Sequence, residues 1–358
     1  MEPDMSLSLT QLLAIDFPLI QAPMAGVSTP ELAAAVSNAG GLGSLGLGAS
    51  SVAQAEQSIV RTRALTARPF NVNLFCHRPP ARDNAVESAW LAACRPLFSR
   101  FAAEPPRALA EIYTPFSGSG DMLDMLLAQA PAVVSFHFGL PDAAAIATLR
   151  AKGILLSATA TNLAEARQIQ ASGIDVIIAQ GFEAGGHRGM FDPQAVDYQT
   201  GTLALVQLLK RHLAIPVVAA GGIMDGAGIG AMMTAGADGA QLGTAFLLCP
   251  ESAADESYRR AIRARRETPT WMTAAISGRP ARCIDNDFCR FARRAADLAV
   301  PPYPLAYDAG KALAAAARAQ GEDGFGAHWA GQGINLIREM PAAALVATLM
   351  EEYRRTEK

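Results

Sequence analysis

A chain of 358 residues exceeds the usual single-domain length, and 51% apolar against 18% charged residues supplies a large core and excludes a disordered chain. A formal net charge of −3 provides no field for gathering nucleic acid or an anionic membrane. No apolar run reaches the length of a membrane span, Met1-Glu2-Pro3-Asp4 leads into no signal segment, and the five scattered cysteines have neither disulfide-framework nor metal-ligand spacing, so a cytoplasmic enzyme with reduced thiols and no metal is expected.

Short apolar runs alternate with amphipathic stretches, the pattern of parallel strands joined by crossover helices. In chain order the expected strands are 18–24, 41–47, 70–75, 132–138, 154–159, 175–180, 215–220 and 239–246. Helices are expected between them at 30–38, 51–63, 163–171, 203–212 and 228–235. Gly40, Gly153, Gly173 and Gly236 each follow a helical run and precede a strand, where a left-handed residue would end the helix. Eight such units imply a (β/α)8 TIM barrel over residues 1–250. The regularity breaks at 78–131, long and partly helical, and again at 251–329, a proline-bearing stretch with basic clusters that reads as a mostly helical cap inserted after the eighth strand. Residues 330–358 return to the barrel as a closing amphipathic helix, expected over 331–353 with Leu336, Ile337, Met340, Leu345 and Leu349 on its apolar face.

In a parallel barrel the chemistry sits at the carboxyl ends of the strands. The first expected strand leads through Ala22, Pro23 and Met24, the third contains Asn73, the fourth carries His137, and the sixth runs through Gln180 into the glycine loop of Gly185 and His187. Gly221-Gly222 after the seventh strand and Gln241-Leu242-Gly243-Thr244 in the eighth are small-residue turns at the two places where barrels cradle phosphate, although glycine is common in every such turn. Two matches to the dinucleotide fingerprint demand no nicotinamide cofactor: the one at 41–46 overlaps the second strand, and the looser one at 226–231 opens a helix after a strand but belongs to the phosphate turn. The amides of Asn73 and Gln180 can pair with a planar heterocycle or simply satisfy the barrel, and Met24 can lie against a ring or pack the core. His187 stands in a loop where packing is no reason for a histidine, and suits acid–base work. His137 divides evenly between site and structure; His77, His212 and His328 lack such context, and His212 reads as a surface residue.

The blocks QAPMAGVSTPELAAAVSNAGGLG at 21–43, NVNLF at 71–75, SFHFG at 135–139, AQGFEAGGHRG at 179–189, AAGGI at 219–223 and QLGTAF at 241–246 together resemble the nitronate monooxygenases, formerly grouped as 2-nitropropane dioxygenases. The resemblance runs from about residue 15 to 340 and is similar to the class I bacterial type, which acts on propionate 3-nitronate. It implies a TIM barrel holding FMN non-covalently, an anionic nitronate oxidised by one-electron transfer to the flavin, and O2 closing the cycle to a carbonyl compound plus nitrite or nitrate. It places His187 beside the flavin and implies flavin contacts at Met24, Asn73, Gln180, Gly185, Gly222, Gly243 and Thr244, with Ala22, Pro23, Gly221, Gln241, Gly331 and Gln332 around them. In the cap, Tyr303, Tyr307 and Lys311 could share one helical face and meet an anionic carboxylate, where residues alone favour an ordinary exposed helix; Tyr113 is a weaker pocket residue. An NAD(P)H-dependent quinone or enoyl reductase on the same barrel, a non-catalytic flavin carrier and a flavin-free isomerase stay open, as does the choice between monomer and homodimer.

Overall fold

The computed structural model describes residues 7–118, 120–264 and 269–357; the leader reading of Met1–Asp4 lies outside them. Nine strands in chain order are β1 (Leu19–Gln21), β2 (Gly43–Gly46), β3 (Phe70–Phe75), β4 (Val133–His137), β5 (Leu155–Ala160), β6 (Val176–Gln180), β7 (Gly186–His187), β8 (Val217–Ala220) and β9 (Gly239–Leu242); the cap adds β10 (Thr270–Thr273) and β11 (Ala281–Ile284). All but β7, β10 and β11 form one parallel sheet in the order β1-β9-β8-β6-β5-β4-β3-β2. The sheet closes on itself: the Gln21 N–H donates to the Leu42 carbonyl and the Leu42 N–H to Leu19, both at 2.9 Å. The protein is therefore a TIM barrel, with the strand order a closed ring of βα units demands.

The strands form where the sequence has near-continuous apolar runs, because helices cover one face and the barrel interior the other. Val176–Gln180 is buried at every position. The helices begin where short polar side chains can accept the first free N–H groups: Thr29, Ser51, Asp142, Asn162 and Asp225 each cap a helix that follows a barrel strand. Such a cap contributes about 1 kcal/mol. The four glycines expected to end helices adopt positive φ, from 82° at Gly153 to 104° at Gly236. The amino-terminal helix Leu9–Leu13 packs Leu9 and Leu13 with Ile20, Val133, Val176 and Val218, plugging the barrel end opposite the site.

Two expectations are corrected. The last barrel strand stops at Leu242 rather than 246, because Thr244–Phe246 turns into a 3-10 helix beyond Gly243. The closing helix does not span 331–353: Gln332–Leu336 is 3-10, Leu336 is exposed, and the helix proper is Ala342–Thr356. Pro341 explains the break, since proline is tolerated at a helix start and not inside. The cap is mostly helical, with Glu256–Ala264, Asp287–Arg294 and Leu305–Ala319 as its helices, and it carries two short strands as well. β10 and β11 form an antiparallel pair, and β11 pairs in turn with β7, joining Ala281 to His187 and Arg282 to Gly186.

A second hydrophobic cluster supports the cap. Trp90, Cys94 and Phe98 of the helix Asn84–Ser99, in the stretch between β3 and β4, pack with Ile276, Phe288 and Phe325. No helix among the described residues is long and apolar enough to cross a membrane.

Candidate active site

At the carboxyl ends of the strands lies a cavity of about 620 Å³. One wall is made of Ala22, Pro23 and Met24 after β1, Asn73 of β3, and Gln241, Gly243 and Thr244 around the end of β9. Gly185, Gly221, Gly222 and Gly331 supply bare backbone on another side. The cap faces them with Tyr303, Tyr307, Lys311 and Trp329, and the stretch between β3 and β4 adds Tyr113. His137 and His187 also line the cavity. Gln332 does not: its side chain is exposed while its N–H donates to the Glu183 carbonyl at 2.9 Å, and Gly333 lines the cavity instead.

The loop that carries His187 is held from several directions. The Arg188 side chain is 1% exposed and donates to both carboxylate oxygens of Asp197 at 2.8 and 3.0 Å and to the carbonyls of Gln180 and Gly181. That bidentate pair ties the two arms of the connection after β6 together, and the bonds to the Gln180 and Gly181 carbonyls anchor it to the end of the strand. The Gln180 amide donates to the His187 carbonyl at 2.9 Å and accepts from the Gly189 N–H at 2.8 Å, so this residue fastens the loop as well as lining the cavity. His137 does related work. Its Nε2 meets the same carbonyl at 3.3 Å and its Nδ1 meets Thr159 Oγ1 at 3.0 Å. A carbonyl only accepts, so Nε2 carries the hydrogen and Thr159 donates to Nδ1.

The His187 ring stands among aromatic neighbours, 5.0 Å from Trp329, 5.4 Å from Tyr303 and 5.6 Å from Phe138 between centroids. Its Nε2 is 2.9 Å from Ser277 Oγ. Burial, and then the electrostatic influence of His137, Arg279 and His77, push its pKa down to about 3. Burial likewise brings His137 to about 4. Arg279 is 2% exposed and sits 4.3 Å from the Phe138 ring centroid, with the Met190 carbonyl accepting from Nη2 at 2.7 Å. Phe138 itself holds a left-handed φ of 72°, a conformation costing a non-glycine residue about 1–3 kcal/mol and typical of functional sites.

Across the cavity, Lys311 Nζ stands 5.1 Å from the Tyr113 ring centroid and 5.3 Å from that of Tyr307. Tyr307 and Lys311 lie one turn apart on the helix Leu305–Ala319, whereas Tyr303 precedes that helix, so the three do not share a helical face although all reach the cavity. The Tyr303 hydroxyl is buried and has no hydrogen-bond partner among the described residues. Burial raises the phenols of Tyr113 and Tyr307 to about 12 and that of Tyr303 well above its ordinary value, so all three remain donors.

Ser277 and Arg279 were not singled out from the sequence. The available signal was the Ser277-Gly278-Arg279-Pro280 turn: Gly278 has φ 90°, and a Cβ there would come within 2.3 Å of the Tyr303 nitrogen. His77 is buried at 4% exposure beside Tyr303, and His328 is buried against Tyr258, while His212 is exposed as expected.

A family profile described as nitronate monooxygenase matches residues 6–352. The chain belongs to the nitronate monooxygenase family. It is 56% identical over 349 residues to the nitronate monooxygenase of Paraburkholderia phytofirmans, covering 98% of this chain and 95% of that protein. Against the nitronate monooxygenase of Pseudomonas aeruginosa the identity is 53% over 348 residues, covering 96% and 98%. Among solved structures, the nitroalkane oxidase from Streptomyces ansochromogenes is similar, with TM-score 0.86, 39% identity and 98% of each chain covered. FabK from Thermotoga maritima shares the fold at TM-score 0.74 and 28% identity, covering 98% and 97%. As a member of the nitronate monooxygenase family the protein is an oxidoreductase, and nitronate oxidation is the activity its relatives carry in their names.

Proposed function

We propose that the protein oxidises propionate 3-nitronate and alkyl nitronates with O2 to a carbonyl compound plus nitrite or nitrate, using non-covalent FMN, in the cytoplasm. The observation that carries this reading is the pairing, in one cavity, of a glycine-lined backbone wall with an anion-directed group of Lys311, the cap phenols of Tyr303 and Tyr307, and the Tyr113 phenol.

The residues present fit FMN. Gly221 and Gly222 have φ of 129° and 73°, and a Cβ at Gly243 would point toward Ala22 at 3.3 Å and Met24 Sδ at 3.8 Å, filling the space that a phosphate tail or ring edge needs. The 3-10 helix beginning at Thr244 has no side-chain cap; its Phe246 N–H donates to the Gly243 carbonyl at 2.9 Å, and the Thr244 and Ala245 N–H groups would be the ones to meet an anion. Met24, Asn73 and Gly185 would flank the ring system. FMN held there would supply redox chemistry able to accept an electron from a nitronate and to react with O2.

The chain's own groups bind and orient the substrate. Lys311 offers a point charge, and the phenols of Tyr303, Tyr307 and Tyr113 offer hydrogen bonds, to the carboxylate of propionate 3-nitronate. His187 is neutral at ordinary pH and too weakly basic to strip a carbon-bound proton from a nitroalkane, which favours a substrate that arrives ionised. An anion beside the ring favours its protonated form, and proton uptake at the imidazole when nitronate binds is the role we assign to it. The rings of Tyr303 and Trp329 pack around His187 and fix where it sits at the cavity.

The likeness to FabK supports an NAD(P)H-dependent quinone or enoyl reductase as the second reading. Substitution of the histidine tests the first: His187→Asn should keep FMN bound at one per chain and the fold intact while turnover of propionate 3-nitronate falls at least about tenfold. Unchanged turnover would contradict it, and loss of FMN would make the residue a cofactor support.

A further inference from the structure

His187 is a neutral ring with two nitrogens, and which one carries the hydrogen decides what it can do to a bound molecule. Its Nε2 faces Ser277 Oγ at 2.9 Å, and this serine is fully buried. A hydroxyl has one hydrogen to give. The carbonyl oxygen of Arg279 lies 3.2 Å from Ser277 Oγ, Arg279 is buried, and no other donor among the described residues reaches that oxygen. A buried carbonyl needs a donor, so the serine hydrogen goes to Arg279. Ser277 Oγ must then accept from the imidazole, and the Arg279 N–H at 3.4 Å adds only a long contact on the same oxygen.

We propose that Ser277 is a positioning residue that fixes His187 as the Nε2–H tautomer, so that Nδ1 is the nitrogen that takes up a proton with the substrate. No protein group hydrogen-bonds Nδ1 among the described residues, and this atom is not among the sealed, unpartnered ones. The chain of bonds from His187 through Ser277 ends on a peptide carbonyl, which cannot receive a proton. Ser277 is therefore not a relay, and proton exchange is confined to the cavity side. No carboxylate among the described residues forms an ion pair with the ring, whose titratable and charged neighbours are His77, His137, Arg279, Tyr303 and Tyr307. The serine thus orients the ring without the increase in basicity that a carboxylate partner would bring.

The turn is built for this contact. The antiparallel pairing of β11 with β7 sets Ala281 opposite His187, and the Arg188 N–H donates to the Pro280 carbonyl at 2.8 Å. Gly278, closed against Tyr303 with no room for a side chain, lets the turn pass between the two site residues.

The assignment of a proton-accepting role rests on the nitronate reading, but the tautomer does not. The test is a long-range proton–nitrogen NMR correlation on the purified full-length enzyme labelled with 15N-histidine, at neutral pH, with the His187 signals identified by their loss in His187→Asn. In the parent, Nε2 should show the shift of a protonated nitrogen and Nδ1 that of a bare one; the reverse pattern would overturn the proposal without any further variant. In Ser277→Ala the two signals should move toward a mixture of tautomers, kcat for propionate 3-nitronate should fall about tenfold, and KM should stay within about twofold. Ser277→Thr, which keeps the hydroxyl, should restore both the parent spectrum and most of kcat. A folded Ser277→Ala protein with the parent tautomer pattern would refute the role of the serine. Should nitronate not be the substrate, the spectra still decide the tautomer.

Discussion

Lys311 is one of only four lysines in the chain, and it stands over two phenol rings at the cavity with no carboxylate paired to it among the described residues. In the proposed function its role is to meet the second charge of propionate 3-nitronate, which an alkyl nitronate lacks. Lys311→Met is therefore expected to raise KM about tenfold or more for propionate 3-nitronate, about 1.4 kcal/mol, and to change it within about twofold for an alkyl nitronate. Steady-state kinetics on both substrates checks this, and equal effects would remove Lys311 from the carboxylate. His187 was legible in the sequence because it stands where packing does not ask for it, whereas Lys311 and both cap tyrosines were named only through the family resemblance, the residues alone favouring an ordinary exposed helix. Ser277 was not legible, since a serine in a turn gains meaning only when the turn lands on a residue far away along the chain. Gln180 was read as a ligand amide, yet much of its hydrogen-bonding capacity is spent on the loop of His187 and Gly189, a division that spacing cannot express.

Elements with a local cause were the easiest to anticipate. The helices Pro30–Asn38 and Leu163–Ala171 match expectation at both ends, because Thr29 and Asn162 cap them and Gly40 and Gly173 follow at positive φ. The strand Phe70–Phe75 matches for a different local reason, an apolar run bounded by Pro69 and His77. Elements with a remote cause were missed. β7 is two residues inside a glycine loop and exists only because β11 offers it a partner. The Arg188–Asp197 pair, which holds the same loop, joins a residue read as part of a motif to one in a stretch with no motif at all. The final helix failed at Pro341, where apolar periodicity continued across a residue that must start a new helix.

For the whole molecule, the barrel supplies a rigid ring of strand ends and the cap supplies aromatic and charged groups above it, a division of labour typical of this architecture. One consequence is a dependence of stability on pH. Burial, foremost, holds His77 and His137 at about 4 and His187 at about 3, below the value of about 6.5 for an unfolded histidine. The unfolded chain therefore binds more protons once pH drops below about 6.5, so the stability from these groups is fully present above that pH and is lost as pH falls toward 4, at up to about 1.4 kcal/mol per pH unit for each histidine. Tm should fall between pH 7 and pH 5, and less steeply in His77→Gln; a Tm that stays level over that range would contradict the burial of neutral rings. The central claim concerns the electron donor, and an anaerobic visible spectrum of the purified protein, mixed separately with propionate 3-nitronate and with NADH or NADPH, tests it most directly. Rapid bleaching of the flavin bands by the nitronate, with no response to either nicotinamide, is the predicted result; bleaching by a nicotinamide alone would contradict the account and assign the barrel to the reductases.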